Sequence, residues 1–224
     1  MVHSPAPIPS FSDAIKFHGH TCPGLALGYR AALIALEELL SEPSQDEELV
    51  AIVENDACGI DALQVVTGCT AGKGNLIFLD YGKHVYTLVN RQTGKAVRVA
   101  TKASFSTASL DPAFGDLRIK VMSGNATTEE MEQFEKHRDV VCHAILTVPY
   151  HDMFSVRSIE IQVPVPAKIY KSIPCDSCGE MVSEHRVVTV GGKVRCIPCS
   201  EKKSNSYSPA VPDDGPGNNV VDPV

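Results

Sequence analysis

Apolar residues recur at helical spacing from Pro23 to Leu40, where Leu25, Tyr29, Ala32, Leu33 and Leu36 share one stripe and Glu37 and Glu38 face away from it. The pattern predicts a long helix with Pro23 at its first position, ended by Glu42-Pro43-Ser44. Within it Gly24, Gly28 and Ala32 recur every four residues, a stripe along which another backbone can come close. Leu49-Val50-Ala51-Ile52-Val53 is short, apolar and branched, and predicts a buried strand. Asp61 to Thr67 reads as a short helix closed by Gly68. Strands are predicted at Leu76–Leu79, His84–Asn90 and Ala96–Thr101, the last two joined by a hairpin loop from Arg91 to Lys95.

Asp111-Pro112 is a helix start, with Asp as cap and Pro at the first position. Phe114, Leu117 and Val121 fit a helix closed by Gly124, although the alternation Leu117, Ile119, Val121 fits a strand equally well. Thr127 and Glu130 form a capping box for a helix whose inner face is Met131, Phe134, Val141 and Ile145. Val156–Val163 predicts a strand, and Val163-Pro164-Val165-Pro166-Ala167 an extended linker. The order of elements predicts an α+β fold, an antiparallel-rich sheet with helices mainly on one side, plus a small C-terminal zinc-finger module. Three regions follow: a main domain over 1–166, a finger over 167–203, and a polar tail over 204–224 expected to be disordered.

The 224 residues suffice for one sizeable core and an appendage. A net charge of −7 argues against a general nucleic-acid binder. Met1 to Lys16 lacks the basic and apolar regions of a secretion signal, and no apolar run reaches the ~18 residues of a bilayer span. A soluble, cytoplasmic protein is expected, with no membrane partner. In that compartment eight cysteines read as metal ligands or reactive thiols rather than disulfides.

Cys175-Asp176-Ser177-Cys178 and Cys196-Ile197-Pro198-Cys199 are two CxxC turns whose four sulfurs can close around one zinc ion. Between them, Arg186–Val190, Gly191-Gly192 and Lys193–Arg195 read as a hairpin, and Gly179 falls where a positive φ is wanted. A closed four-thiolate site stabilises a module too small for its own core and leaves no position for catalysis.

A second candidate is His18-Gly19-His20-Thr21-Cys22. Read as extended chain, it projects two imidazoles and a thiol to one face, a partial site for zinc or another transition metal. Cys22 falls near a helix N-cap, where amides and the helix dipole favour thiolate. The bland reading is a capped helix start. A further cluster holds Cys58, Asp61, Gln64 and Cys69, with Asp61 and Gln64 on one helix face. Gly68, Gly72 and Gly74 flank Lys73, but the spacing and Gly74 exclude a Walker loop; an anion-binding loop and a plain tight turn remain equal. Cys142 and the remaining histidines read as core or surface residues.

Phe17-His18-Gly19-His20-Thr21-Cys22-Pro23-Gly24, Asp56-Ala57-Cys58, Asp61-Ala62-Leu63-Gln64 and Thr67-Gly68-Cys69-Thr70-Ala71-Gly72-Lys73-Gly74-Asn75-Leu76, followed by Asp80-Tyr81-Gly82-Lys83, together resemble the FmdE-like family of formylmethanofuran dehydrogenase proteins over about residues 10–165. The resemblance implies an α+β metal-binding domain, commonly dimeric, associated with molybdenum or tungsten redox enzymes of one-carbon metabolism. It implies His18, His20, Cys22, Cys58 and Cys69 as metal candidates, and Cys22, His20, Cys58, Asp61 and Lys73 as candidate catalytic groups. On this reading Cys58 is a ligand or resolving thiol, Asp61 orients a histidine and Lys73 holds an anionic substrate. The helix beginning at Gly24 is the candidate contributor to a homodimer interface. Two other readings stand beside an enzyme or oxidoreductase-associated protein: a non-catalytic adaptor or metal-delivery protein docking through its finger, and thiol redox sensing by Cys22, Cys58 and Cys69.

Overall fold

A computed structural model describes residues 7–201; the predicted tail at 204–224 lies outside them. The chain divides between Ala167 and Lys168 into two compact units.

In the first unit, helix α1 (Phe11–His18) is held at its start by a reciprocal capping box between Ser10 and Asp13, and Gly19 ends it in the left-handed conformation. The sequence reading missed this helix, so His18 is the last residue of a helix rather than part of an extended segment. Helix α2 (Pro23–Leu39) starts at Cys22 and carries a nearly continuous set of buried residues from Leu25 to Leu39. Strand β1 (Leu49–Val53) leads into α3 (Gly59–Thr67) and then β2 (Leu76–Phe78), which pairs with β1 in parallel. Strands β3 (Val85–Asn90), β4 (Ala96–Thr101) and β5 (Phe154–Ile159) complete a sheet of order β2-β1-β3-β4-β5, in which every pairing beyond β1–β2 is antiparallel.

Between β4 and β5 the chain forms α4 (Thr107–Leu110), α5 (Pro112–Met122), α6 (Thr128–Thr147) and α7 (Tyr150–Met153). Residues 112–122, which fitted helix or strand equally, are helical: Asp111 accepts from the Ala113 amide and Pro112 occupies the first turn. The Thr127–Glu130 capping box closes as expected.

The strands alternate as a two-faced sheet requires. Leu49, Ala51, Val53, Tyr86, Leu88, Val97 and Val99 pack beneath the helices, while Val50, Ile52, Val89 and Ala96 turn to the other face. Among the described residues, the apolar side chains packed on that second face are Ile77, Leu79, Ile159, Ile161 and Val163, none of them from a helix. The expected linker over 163–167 is therefore pinned to the main unit. Arg91 donates to the carbonyls of Pro164 and Val165, and Glu47 accepts from the Ala167 amide.

The second unit consists of two hairpins, β6 (Ser172–Pro174) with β7 (Met181–Ser183) and β8 (Val187–Val190) with β9 (Lys193–Cys196), followed by the short α8 (Ile197–Ser200). Gly191 and Gly192 both have positive φ, as a two-residue hairpin turn needs.

Candidate metal centre

The contact between α2 and α3 places the site. A Cβ on Gly28 would lie 2.0 Å from the Gly59 carbonyl oxygen, and one on Gly24 would lie 3.4 Å from Cys58 Cβ. The glycine stripe of α2 thus receives α3 of the same chain. Cys22 is the N-cap residue of α2 and Cys58 that of α3, so this close approach brings two helix starts, each bearing a thiol, side by side. The end of α1 delivers His18 to the same place.

Ligand atoms of His18, His20 and Cys22 all lie within 4.8 Å of one another. Cys22 Sγ is 3.8 Å from His18 Nε2. Zinc bonded at about 2.0 Å to nitrogen and about 2.3 Å to sulfur in tetrahedral geometry separates those ligand atoms by roughly 3.6 Å, so the pair is already spaced as one edge of a metal site. The His18 and His20 rings lie 4.4 Å apart between centroids. His18 Nδ1 is 2.7 Å from Asp61 Oδ2. A carboxylate only accepts, so Nδ1 carries the proton and the Nε2 lone pair is left facing Cys22. Gln64 steadies the far carboxylate oxygen at 3.5 Å.

The convergence comes from a helix end, a left-handed glycine and an N-cap, not from strand alternation. The acidity expected of Cys22 is also reversed. Its sulfur accepts the Leu25 amide at 3.3 Å, as an N-cap should, yet burial dominates and pushes the thiol up to about 11, with the nearby Cys58 thiol adding to the rise. A cation, not the helix terminus, must supply the stabilisation of a thiolate here.

The other candidates are placed differently. Cys58 is exposed and lies near Cys22 without joining the three converging atoms. Cys69 is fully buried in the apolar core, and that burial raises its thiol to about 11. Lys73 donates to the carbonyls of Ser44 and Gln45, both at 3.3 Å. The loop around it is a tight turn: the Ala71 amide goes to Gln64, the Lys73 amide to Thr70, and the Thr70 amide to Asn75. The Thr70, Ala71, Lys73 and Gly74 amides are engaged within the protein, as a tight turn requires. Two neighbours were not singled out from the sequence as part of the site. Cys142, on α6, is buried and raised to about 12 by that burial, with Cys22 close enough to contribute. Tyr86 is buried with its hydroxyl beside Gly59 and near Asn55 and Cys58; its strand pattern signalled core only.

In the second unit Cys175, Cys178, Cys196 and Cys199 converge as expected, and Gly179 adopts φ +76°. Cys178 and Cys196 sulfurs are 3.9 Å apart, against roughly 3.8 Å for two thiolates on a tetrahedral zinc. Amides of residues 178, 196 and 177 pull Cys175 down to about 6, whereas Cys196 and its neighbours push Cys199 up to about 12. Four thiolates at this spacing need a cation to coexist, and a closed tetrahedral set is a structural zinc site.

Residues 17–155 match the model of FmdE, described as molybdenum formylmethanofuran dehydrogenase operon, and residues 168–205 match the prokaryotic dksA/traR C4-type zinc finger. A probable S-adenosyl-L-methionine-binding protein of Archaeoglobus fulgidus is 35% identical over 183 residues, covering 78% of this chain and 49% of that one. The chain thus spans about half the length of this curated relative. A tungsten formylmethanofuran dehydrogenase FmdE-like protein from Syntrophus aciditrophicus shares the fold, with a TM-score of 0.54 at 22% identity, covering 90% of this chain and 98% of that one. The chain belongs to the FmdE family and carries a four-cysteine zinc finger of the dksA/traR type after its main domain.

Proposed function

We propose that the main domain is a three-ligand metal centre in which His18, His20 and Cys22 hold zinc or another transition metal and leave a coordination position open. The observation that carries the reading is the chain Asp61–His18–Cys22. A carboxylate 2.7 Å from Nδ1 fixes the ring while Nε2 lies 3.8 Å from a sulfur, the arrangement in which a histidine is oriented for a metal. Such an ion supplies Lewis acidity or an activated water at the open position. The exposed Cys58 borders that position as a second thiol.

The centre serves one-carbon or molybdenum- or tungsten-linked redox metabolism, in a homodimer that works with such an enzyme; family membership supports this placing. S-adenosylmethionine is the first small molecule to try, on the name of the archaeal relative. The adaptor reading is favoured by one feature of the finger: Met181, Val188, Val190 and Ile197 are exposed apolar side chains on a module with a closed metal site. No helix among the described residues is long and apolar enough to cross a membrane.

The test is metal content per chain, by elemental analysis of protein purified without oxygen, for wild type and the double variant His20→Ala/Cys22→Ala. Two ions falling to one supports the main-domain centre. One ion in both proteins leaves the finger alone and transfers the function to docking.

A further inference from the structure

Cys22, Cys58, Cys69 and Cys142 are all free thiols, and their placement singles out one pair. Cys69 is sealed in the core just past the C-terminal end of α3, the opposite end of that helix from Cys58. Cys142 lies near Cys22 but on the buried side, only 3% exposed. Cys58 is exposed, near enough to Cys22 to raise its thiol, and stands at the N-cap position of the neighbouring helix. The glycines that press α2 onto α3 hold its Cβ against the first turn of the helix that Cys22 caps. A disulfide needs its two Cβ atoms about 4 Å apart, and Cys58 Cβ lies 3.4 Å from where a Cβ on Gly24, two residues from Cys22, would stand.

We propose that Cys22 and Cys58 form a reversible disulfide that competes with metal, making the main-domain centre a redox-controlled site. The competition rests on the metal-centre reading; the pairing of the thiols does not. The co-reactant is a low-molecular-weight disulfide. Cys58, the accessible thiol, attacks one sulfur of the reagent as thiolate and expels the first thiolate. Cys22 gives its proton to His18 Nε2, 3.8 Å away, and attacks the Cys58 sulfur, expelling the second. The two cysteines lose two electrons, the reagent is reduced to two thiols, and the protons released are taken up by those thiolates. Once paired, Cys22 no longer serves as a ligand, and two histidines are left at the site.

The experiment treats the full chain with a chelator, then with glutathione disulfide, and maps the linked peptides without reductant. The expected product joins Cys22 to Cys58, lacks two hydrogens, reverts with dithiothreitol, and is absent from Cys58→Ser; Cys142→Ser leaves it unchanged. Cys22 joined to Cys142, or a glutathione adduct on Cys58 that is never displaced, overturns the proposal. With zinc at about 100 times its dissociation constant, the metal-free fraction is about one hundredth, so pairing slows on the order of 100-fold. Pairing at an undiminished rate in a chain that elemental analysis shows to carry two ions overturns the competition. Pairing in a chain that binds no main-domain ion instead leaves the thiol pair standing and removes the metal centre.

Discussion

Replacing Gly28 with alanine tests the contact on which the site is built. In most helices the change is favourable, by about 1 kcal/mol, because alanine has less backbone freedom to lose. Here the new Cβ would lie 2.0 Å from the Gly59 oxygen, 2.3 Å from its Cα and 2.5 Å from its carbonyl carbon. All three are backbone atoms of α3 and cannot rotate away. Restoring ordinary contact at 3.4 Å requires the helices to part by 1.4 Å, the difference from 2.0 Å. Overpacking of this kind costs about 1–3 kcal/mol or more, and a backbone clash belongs at the upper end. The expected net loss is about 1–2 kcal/mol, or a fall in Tm of roughly 2–8 °C for a domain of this size. Gly115→Ala is the control. It lies inside α5, its added Cβ would meet only Ala108 Cβ at 3.7 Å, and the helix gain of up to about 1 kcal/mol should appear in full. Urea unfolding of the full chain, followed by far-ultraviolet circular dichroism, measures both. A Gly28→Ala protein that unfolds at the same or higher urea concentration than wild type would refute the account of how the two N-caps are brought together.

Other substitutions reach the site and the finger separately. Asp61→Asn should weaken cobalt binding in the main domain about 10- to 100-fold while leaving the fold intact, because it removes the partner that orients His18; an unchanged cobalt affinity would show that Asp61 only packs there. Asp13 caps α1, and the Ser10 hydroxyl, with Lys16 assisting, holds its carboxyl down to about 2. Because the folded value lies below the ordinary 3.8, its contribution is complete above that pH and is lost as pH falls through about 2. Asp13→Asn should therefore be less stable near neutrality and converge with wild type at the acid end, as unfolding titrations at stepped pH would record. Cys175→Ser should unfold the finger and release one zinc per chain without altering cobalt binding by His18, His20 and Cys22; loss of both ions would contradict the division at Ala167.

The elements legible in the sequence are those whose periodicity and caps agree. Leu25 to Leu36 marked α2, the Thr127–Glu130 box marked α6, and the short, branched apolar run Leu49–Val53 marked β1. Helix α1 was not visible because it is only eight residues long and its box uses Asp13 in place of the usual Glu or Gln. Its omission matters, since α1 aims His18. The glycine stripe was recognised as a surface for close approach, but a stripe does not name its partner: only the fold shows that Gly59 fills it. Cys142 reads as a small core residue from its helix position, and burial is where the structure puts it; its nearness to Cys22 is a long-range fact that no local pattern carries. Lys73 looked available because flanking glycines suggest exposed amides, whereas Ser44, Gln45, Gln64 and Asn75 consume the donors of that loop.

The two cysteine sites show why an N-cap by itself does not make an acidic thiol. Cys175 accepts several amides and falls to about 6, because hydrogen bonds to the charged form outweigh everything else around it. Cys22 also accepts an N-terminal amide, but the helices that position it also bury it, and the single bond from Leu25 does not compensate. What the N-cap supplies in the main domain is geometry: a sulfur 3.8 Å from His18 Nε2, with Cys58 nearby. Charge must arrive with a ligand. A metal ion provides it by displacing the proton, and a disulfide removes the need for it by leaving no thiolate at all. On the proposed reading, the same contact between α2 and α3 gives Cys22 two mutually exclusive partners, and the occupancy of the centre follows which of them the surrounding medium supplies.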